Sequence, residues 1–389
     1  MKKQVLRIFF QRITSSGVFI PEIDGLRFLA IFGVVLHHMH GFFREKLQLQ
    51  VHSFPAEIVD RLISNGHLGV PLFFVISAYL LGLPFVSAQL NASKAVSLNN
   101  YFLRRLTRLE PPYFIAMTLL MVMLVFLTHK IPVDKGLPSY ISSLFYLHWL
   151  FFPGEFPRIN GVAWSLEIEV QFYILAPLIT SLIYRIKQVF QRRLLFIVLM
   201  LLLVIVHHLG SFPVRTLADY LHWFLAGILL ADFKVSDSGK MKTIVSGNFL
   251  ACILLTAFFF SDAEDAGSKW LAVAAELFQL AAVFILFYMI LHQQAFRFLS
   301  KKYFAYVGGM CYSIYLLHYP VISFFGNFLL RFGKGSDPFL VAIFSSLIIL
   351  FLILAISSAF YLLIERPCMD KNWYRKLLGL SMEKQSGIE

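Results

Sequence analysis

The sequence predicts an all-α protein, a polytopic transmembrane helix bundle of about ten spans with both termini in the cytoplasm. Three observations support this fold class. Of the 389 residues, 58% are hydrophobic and only 14% are charged, whereas soluble proteins contain about 25% charged residues. Apolar runs long enough to cross a bilayer recur along the chain. Lys and Arg concentrate in alternate connecting segments.

Ten apolar runs have the length of a membrane span, about 20 residues. They lie near residues 26–43, 67–86, 111–129, 164–184, 194–209, 216–232, 245–261, 270–291, 303–330 and 338–364. A shorter run at 139–152 is ambiguous. If it does not cross, the cytoplasmic segments hold about 23 Lys and Arg and the outer segments about 10, as the positive-inside rule requires. We therefore predict that 139–152 lies in the interface or re-enters the membrane.

The formal net charge of +12 does not indicate a nucleic-acid partner, because the cations lie at helix ends and suit anchoring at the cytoplasmic surface. The three cysteines have neither disulfide nor zinc-ligand spacing, so we expect no metal site. No short apolar run with a cleavage site follows Met1, so the first span is expected to serve as an uncleaved insertion signal.

The chain shows no internal repeat, low-complexity tract or soluble domain. We expect a cytoplasmic N-terminal segment at 1–21, one membrane domain at 22–367 and a cytoplasmic C-terminal tail at 368–389.

The first span combines an apolar character with ionisable residues. Arg27 and His38 are separated by ten residues, so on a helix both lie on one stripe, about 16 Å apart along the axis. His37 and His40 point about 100° and 200° away from His38. Ionisable groups at membrane depth are costly and usually face protein or a water-filled cavity, which makes this stripe a candidate site. The alternative is a buried histidine hydrogen-bonded to a neighbouring helix.

A basic cluster precedes the third span. Arg105 and Arg108 are one helical turn apart, with Arg104 beside them, and we expect Pro111 and Pro112 to break or restart the helix. Guanidinium groups suit a multiply charged phosphate ligand because they offer planar pairs of donors. A cytoplasmic stop signal or a contact with lipid phosphates is the alternative.

Two further spans carry candidate residues. Glu169 and Tyr173 are one helical turn apart, whereas Glu167 lies about 200° around the helix from Glu169 and cannot face the same cavity. Capping of the helix is the alternative role for a carboxylate near its start. His318 lies one turn from Tyr315, in a segment that follows two glycines.

These candidate residues are expected at different depths in the membrane. The arginines at 105 and 108 lie at the cytoplasmic edge, and His38 lies roughly 20 Å into a core about 30 Å thick. Glu169 approaches from the opposite surface, and His318 is also deep. This layout suits an extended, phosphate-bearing donor that enters from the cytoplasm and meets a substrate from the other face.

Several motifs, in this order and spacing, resemble those of the acyltransferase family 3 membrane proteins. IDGLRFLAIFGVVLHH resembles the family's first helix, in which a basic residue precedes the functional histidine, and it maps to Arg27 and His38. RRLTRLEPPY resembles the paired-arginine motif and maps to Arg105 and Arg108. AWSLEIEVQFY resembles a tryptophan–serine–leucine segment whose glutamate maps to Glu169.

The resemblance extends over about residues 20–370. GVPLFFVISAYLL resembles the second-helix signature, with Ala78 where a glycine is usual. YSIYLLHYPV and IERP match a later helix, which contains His318, and the closing motif. Glu110 and Glu167 are departures from the family pattern, as is Ala78, which puts local helix packing in question.

The resemblance implies a multi-pass protein of the inner (plasma) membrane that transfers an acyl group, commonly acetyl from acetyl-CoA, to a hydroxyl of a sugar or other envelope molecule. Acyl-CoA is then a co-substrate, and no permanently bound cofactor is expected. Some members continue into an extracytoplasmic esterase-like domain. Because this sequence shows none, we expect transfer to be completed in the membrane domain or with a separate partner, such as glycan-assembly proteins.

The expected mechanism uses neutral His38 as general base on the acceptor hydroxyl. Arg27 orients the site or holds the donor, and Arg105 and Arg108 bind the CoA phosphates. Glu169 polarises His38 or binds the acceptor, together with the substrate-binding candidates His318, Tyr315 and Tyr173. An acyl-histidine relay stays open. So do two other classes of function, a transporter or flippase and a non-catalytic partner in polysaccharide assembly.

Overall fold

The computed structural model of the chain describes residues 20–49, 54–91, 95–210, 215–237, 247–261, 266–293, 295–370 and 373. The predicted terminal segments 1–21 and 368–389 lie almost entirely outside the described residues. The described residues form helices and connecting turns and contain no strand, which confirms the all-α class.

The helices follow one another in this order: α1 (Pro21–Leu47), α2 (Phe54–Ser64), α3 (Gly69–Leu90), α4 (Leu98–Met121), α5 (Val133–Leu144), α6 (His148–Phe151), α7 (Trp164–Ile183), α8 (Val189–Leu209), α9 (Leu217–Ser236), α10 (Gly247–Phe260), α11 (Lys269–Gln293), α12 (Lys302–Gly309), α13 (Cys311–Phe332), α14 (Pro338–Phe360) and α15 (Arg366–Cys368). Short 3₁₀ segments precede α3, α7 and α12. Residues Val122–Leu127 and Tyr361–Glu365 extend α4 and α14 as wider, π-helical turns.

Eight helical stretches among the described residues are long and apolar enough to cross a membrane: Pro21–Leu47, Ala56–Leu90, Leu98–Leu127, Gly161–Ile183, Val189–Leu209, Lys269–Leu291, Cys311–Phe332 and Pro338–Cys368. The other two predicted spans correspond to α9, which carries Asp219, Asp232 and Lys234, and to α10, which has 14 residues. A total of about ten spans, and the location of the termini, therefore stay predictions.

The ambiguous run at 139–152 forms the end of α5, a turn and α6. The 12 residues of α5 extend about 18 Å, which is too short for a hydrocarbon core about 30 Å thick. Hydrogen bonds hold the segment against neighbouring helices, from the Tyr113 hydroxyl to the carbonyl of Ser143 and from the amide of Trp149 to Glu167. The segment forms no spanning helix.

The helices differ in how much of their surface faces protein. In α9 every residue from His222 to Asp232 is buried, so this helix lies at the centre of the bundle. In α14 the buried positions recur about every four residues, as a single stripe, whereas side chains such as Phe344 and Phe351 are exposed. A stripe on an otherwise apolar helix is typical of a helix that faces lipid on its other sides.

The central helices α3 and α9 pack closely because a small residue lies at their contact. A Cβ atom added at Gly227 of α9 would overlap the carbonyl oxygen of Val75 and lie 2.7 Å from the Cβ of Ala78. Small residues allow this approach between membrane helices. Ala78 is therefore accommodated by a glycine on the facing helix.

A buried ion-pair network joins α8 to α9. The Arg192 Nε lies 2.6 Å from Asp232 Oδ2, and both side chains are completely buried. The Arg193 Nε lies 3.0 Å from the other oxygen of the same carboxylate. The Nη1 of Arg192 also donates to the backbone carbonyls of Ile186 and Lys187, and its Nη2 donates to Ser236 Oγ at 3.4 Å.

We expect Asp232→Ala to lower the free energy of unfolding by about 3–5 kcal/mol, because it leaves the buried guanidinium of Arg192 without its counter-charge. Glu155→Ala is the matched control. Its partner Arg158 lies at the same distance, 2.6 Å, but the two side chains are 37% and 49% exposed. The control is expected to cost at most about 1 kcal/mol. Denaturant unfolding of the detergent-solubilised protein measures both; equal losses would contradict the account.

A second close approach joins α12 to α1. A Cβ atom at Gly308 would overlap the carbonyl oxygen of Asp24 and lie 3.0 Å from the amide nitrogen of Phe28. The packing of the last turn of α12 against the start of α1 thus depends on the absence of a side chain at this position.

Gly308→Ala is therefore expected to destabilise the protein by about 1–3 kcal/mol or more, because backbone atoms of α1 must move aside. Gly41→Ala, within α1, is the control: nothing lies within 4 Å of the added Cβ, and alanine favours a helix by about 0.5–1 kcal/mol over glycine. The melting temperatures of the two variants should change in opposite directions. A Gly308→Ala protein as stable as the wild type would refute the contact.

Candidate active site

A cavity of about 330 Å³ lies among α1, α3, α4, α7 and α13. Polar and charged side chains on its wall include Asp24, Arg27, Ser77, Arg105, Arg108, Ser165, Glu169, Tyr173, Tyr312, Tyr315 and Glu365. Six of the eight residues that the sequence predicts for the site belong to this wall, although they come from four helices. The two others, His38 and His318, do not line the cavity.

Three guanidinium groups reach the cavity wall. Arg27 is buried, and its Nη1 lies 2.5 Å from Asp24 Oδ1, one turn earlier on α1. The guanidinium of Arg105 lies over the Tyr173 ring, 5.4 Å from its centroid. Among the described residues, neither Arg105 nor Arg108 forms an ion pair with a carboxylate. Arg104, in contrast, is exposed and outside the cavity. The cavity thus contains two cations available to an anionic ligand.

The helix that carries Arg105 and Arg108 is not broken by the two prolines, contrary to the expectation from the sequence: α4 continues through Pro111 and Pro112 to Met121. Proline at 111 removes the amide that would bond the carbonyl of Thr107, four residues earlier. That carbonyl accepts a hydrogen bond of 2.8 Å from the indole Nε1 of Trp373 instead. A side chain from the C-terminal end thus compensates the lost backbone bond.

The two glutamates of α7 face different surroundings, as their spacing predicts. Glu169 lines the cavity and accepts a hydrogen bond from Ser77 of α3. Tyr173, one turn later, lines the same cavity. Glu167 points elsewhere: it is buried, and its Oε2 accepts from the amide of Trp149 at 3.2 Å. The unusual carboxylate at 167 therefore anchors the short helix α6 and does not belong to the cavity.

The stripe of α1 that carries Arg27 and His38 faces α13. The ring centroids of His38 and His318 are 5.2 Å apart, and His318 is completely buried. His318 Nδ1 lies 3.0 and 2.9 Å from the carbonyl oxygens of Ile314 and Tyr315. Because a carbonyl can only accept, Nδ1 carries the proton and Nε2 is left as an acceptor. Nε2 has no hydrogen-bond partner among the described residues.

The other two histidines of α1 have partners on other elements, although the His37 ring also lies against His38, with ring centroids 5.1 Å apart. His37 Nδ1 lies 2.5 Å from the carbonyl oxygen of Ser64. His40 Nε2 lies 3.0 Å from Asp60 Oδ1, on α2. The four ionisable residues of the first span therefore do not form one patch, as their angular spacing predicts.

Tyr315 connects the cavity to the histidine pair. Its side chain lines the cavity, and its ring centroid lies 6.4 Å from that of His318, one turn later on α13. The Tyr315 hydroxyl donates to the carbonyl of Val162 and lies 3.0 Å from Ser165 Oγ, at the start of α7. Tyr315 thus forms part of the cavity wall, on the side that faces the histidines.

Several site residues were not found by reasoning from the sequence. Glu365 accepts hydrogen bonds from the amide of Ser313, at 3.0 Å, and from its hydroxyl, at 2.5 Å. It thereby caps the first turn of α13 and fixes the helix that carries Tyr315 and His318. Asp24 could have been found from its spacing of three residues before Arg27. The serines that line the cavity carry no such signal.

Comparison with known proteins finds a matching family and several named relatives, which agree with one another. Residues 20–362 match the family described as the acyltransferase domain. O-acetyltransferase OatA of Staphylococcus aureus (strain NCTC 8325 / PS 47) is 29% identical over 392 residues, covering 94% of this chain and 60% of OatA. OatA of strain COL gives the same values. SACOL0978 of strain COL is 26% identical over 336 residues, covering 79% of this chain and 51% of the relative.

The chain thus spans about 60% of the length of the OatA relatives that it matches. No solved structure matches it. The family match covers most of the chain and includes the helices that build the cavity and the histidine pair. This helical membrane protein belongs to the acyltransferase domain family.

Proposed function

We propose that the protein is a membrane O-acetyltransferase that moves an acetyl group from cytoplasmic acetyl-CoA to a hydroxyl of an envelope or exported glycan. One observation carries the proposal: Arg27, Arg105 and Arg108 share a cavity whose wall, at Tyr315, adjoins the pair His38 and His318. The name of the OatA relatives, O-acetyltransferase, supports the type of reaction.

The donor is held through its phosphates. Arg105 and Arg108 are one turn apart on α4, line the cavity, and have no carboxylate partner among the described residues, so their donors are available to phosphate oxygens. Arg27 lines the same cavity from α1 and is fixed by Asp24. It orients the donor beyond the phosphates. The apolar lining residues, which include Phe73 and Leu80, suit the uncharged arm of CoA.

His38 acts as the general base. Its imidazole takes the proton of the acceptor hydroxyl while the hydroxyl oxygen attacks the thioester carbonyl carbon, and the carbon–sulfur bond then breaks. The proton passes from His38 to the CoA thiolate, which leaves as free CoA. His318, in ring contact with His38, presents a deprotonated Nε2, which accepts a hydrogen bond from the acceptor or from His38. Such a base contributes about 10²–10⁴-fold to the rate.

The donor must pass Tyr315 to reach the histidines. Neither histidine lines the cavity, and the Tyr315 hydroxyl is bound to the start of α7. A rotation of this side chain, with loss of its bonds to Val162 and Ser165, opens the path from the cavity to the histidines. Glu169, Tyr173 and Tyr315 line the cavity and contribute to binding of the acceptor or the acyl end of the donor. Transfer is completed in this domain or with a glycan-assembly partner.

Label transfer tests the function and the base together. Membranes that contain the protein, given acetyl-CoA labelled in the acetyl group, are expected to release free CoA and to place label in an envelope glycan. His38→Ala should lower this rate about 10²–10⁴-fold, since the base is lost.

His40→Ala is the control. The His40 imidazole contacts Asp60 on another face of α1, so its removal should change the rate little. Undiminished transfer by a normally inserted His38→Ala protein would end the assignment, and solute movement without CoA release would identify a transporter.

Binding of acetyl-CoA tests the arginines separately. Each hydrogen bond from a charged donor contributes about 1.5–3 kcal/mol, so Arg105→Ala and Arg108→Ala should each raise the Kd about 10- to 100-fold. Arg104→Ala is the matched control, because that side chain is exposed and outside the cavity. Isothermal titration of the detergent-solubilised variants measures the change. An equal Kd for all three variants would reject the phosphate site.

A further inference from the structure

A second cluster of ionisable side chains lies outside the cavity. It comprises His207 and His208, in the last turn of α8, His222 of α9 and Glu276 of α11. None of them lines the proposed active-site cavity. The sequence predicts no metal site here, because α8 and α11 are distant in sequence and no recognisable ligand spacing connects them.

The geometry of three of these residues suits a metal ion. His207, His208 and Glu276 each offer one ligand atom, and these atoms all lie within 4.8 Å of one another. His208 Nε2 and Glu276 Oε2 are 2.6 Å apart. Both atoms are buried, yet neither has a hydrogen-bond partner of acceptable geometry among the described residues. At this distance the two atoms form an ion pair when His208 is protonated, and an ion bound between them would take the place of that contact.

The carboxylate is held in place by a second layer of donors. His222 Nε2 lies 2.8 Å from Glu276 Oε1, and Trp223 Nε1 donates to the same oxygen at 3.3 Å. His222 is completely buried, and Glu276 is only 7% exposed. One carboxylate oxygen is therefore fixed by α9, and the other is directed to the histidines of α8. Outer partners of this kind orient the ligands in metal sites.

One of the histidines also has an acidic neighbour. Asp219, in the first turn of α9, lies 3.6 Å from His207 Nδ1. The same carboxylate caps its own helix by accepting from the amide of Thr216 at 2.8 Å. A carboxylate beside a histidine ligand is a common feature of zinc sites.

We propose that His207, His208 and Glu276 bind a divalent transition-metal ion, with zinc as the best fit. Two imidazoles and one carboxylate are a known set of protein ligands for zinc and leave a fourth position for water. His222 and Trp223 position the carboxylate. The ion links the end of α8 to α11. His222 and Trp223, which contact Glu276, extend this link to α9. This role is independent of acetyl transfer.

The test uses the full chain, purified in detergent through a tag without histidine, treated with a chelator and titrated with ZnCl₂. We expect one zinc ion per chain by calorimetry and by elemental analysis after desalting, and a melting temperature that rises when zinc is added. The double variant His207→Ala/His208→Ala should lose stoichiometric binding and the rise in melting temperature. His129→Ala, an exposed histidine outside the cluster, should retain both.

Glu276→Gln gives a second, independent variant, since it keeps the shape of the side chain and removes a ligand charge. We expect its zinc affinity to fall at least about tenfold, because altered partners of a metal site cost about 10–100-fold in affinity. Failure of the wild type to bind zinc, or stoichiometric binding by both the double variant and Glu276→Gln, would overturn the proposal.

Discussion

Charged groups inside a membrane protein are costly unless each has a partner, and this constraint determines how the helices of the present chain are arranged. Partners are supplied from other helices or from a neighbouring turn. Arg192 is neutralised by Asp232 across α8 and α9, and Glu365 is held by the first turn of α13. Glu169 is bonded to Ser77 of α3. The bonds of Glu169 and Glu365 fix helices that surround the cavity, whereas the Arg192–Asp232 pair joins α8 to the central helix α9 outside it.

The helix α13 connects the two halves of the proposed chemistry. Its Tyr315 belongs to the cavity that contains the arginines, and its His318 contacts His38 of α1. The capping carboxylate of Glu365 fixes the start of this helix, which accounts for a physical role of the closing IERP motif. Because the histidines lie beyond the cavity wall, the proposed reaction requires a movement of Tyr315. In the proposed reaction the arginines and the base are thus neighbours on the two sides of Tyr315.

Much of the site follows from helical spacing alone. The opposite directions of Glu167 and Glu169 are confirmed because a helix fixes the angle between its residues. His37 and His38 diverge by about 100° on α1, yet their ring centroids still lie 5.1 Å apart. Spacing cannot show which helices meet, so the partnership of Glu169 with Ser77 was not predicted. The prediction of a break at Pro111 was wrong because a distant indole, that of Trp373, replaces the lost donor. The proximity of His207, His208 and Glu276 was also not predicted, because the way in which α8, α9 and α11 face one another is a tertiary property.

In the proposed reaction, a donor bound by Arg105 and Arg108 places its acyl group at His38. The most direct measurement is an experimental structure with a non-transferable acetyl-CoA analogue bound. The account predicts phosphates within hydrogen-bond distance of both guanidinium groups, Tyr315 rotated away from Ser165, and the acyl carbonyl at the histidine pair, with room for a hydroxyl at about 3–3.5 Å from its carbon. An analogue whose acyl end stays on the arginine side of an unmoved Tyr315, or that binds elsewhere, would contradict it.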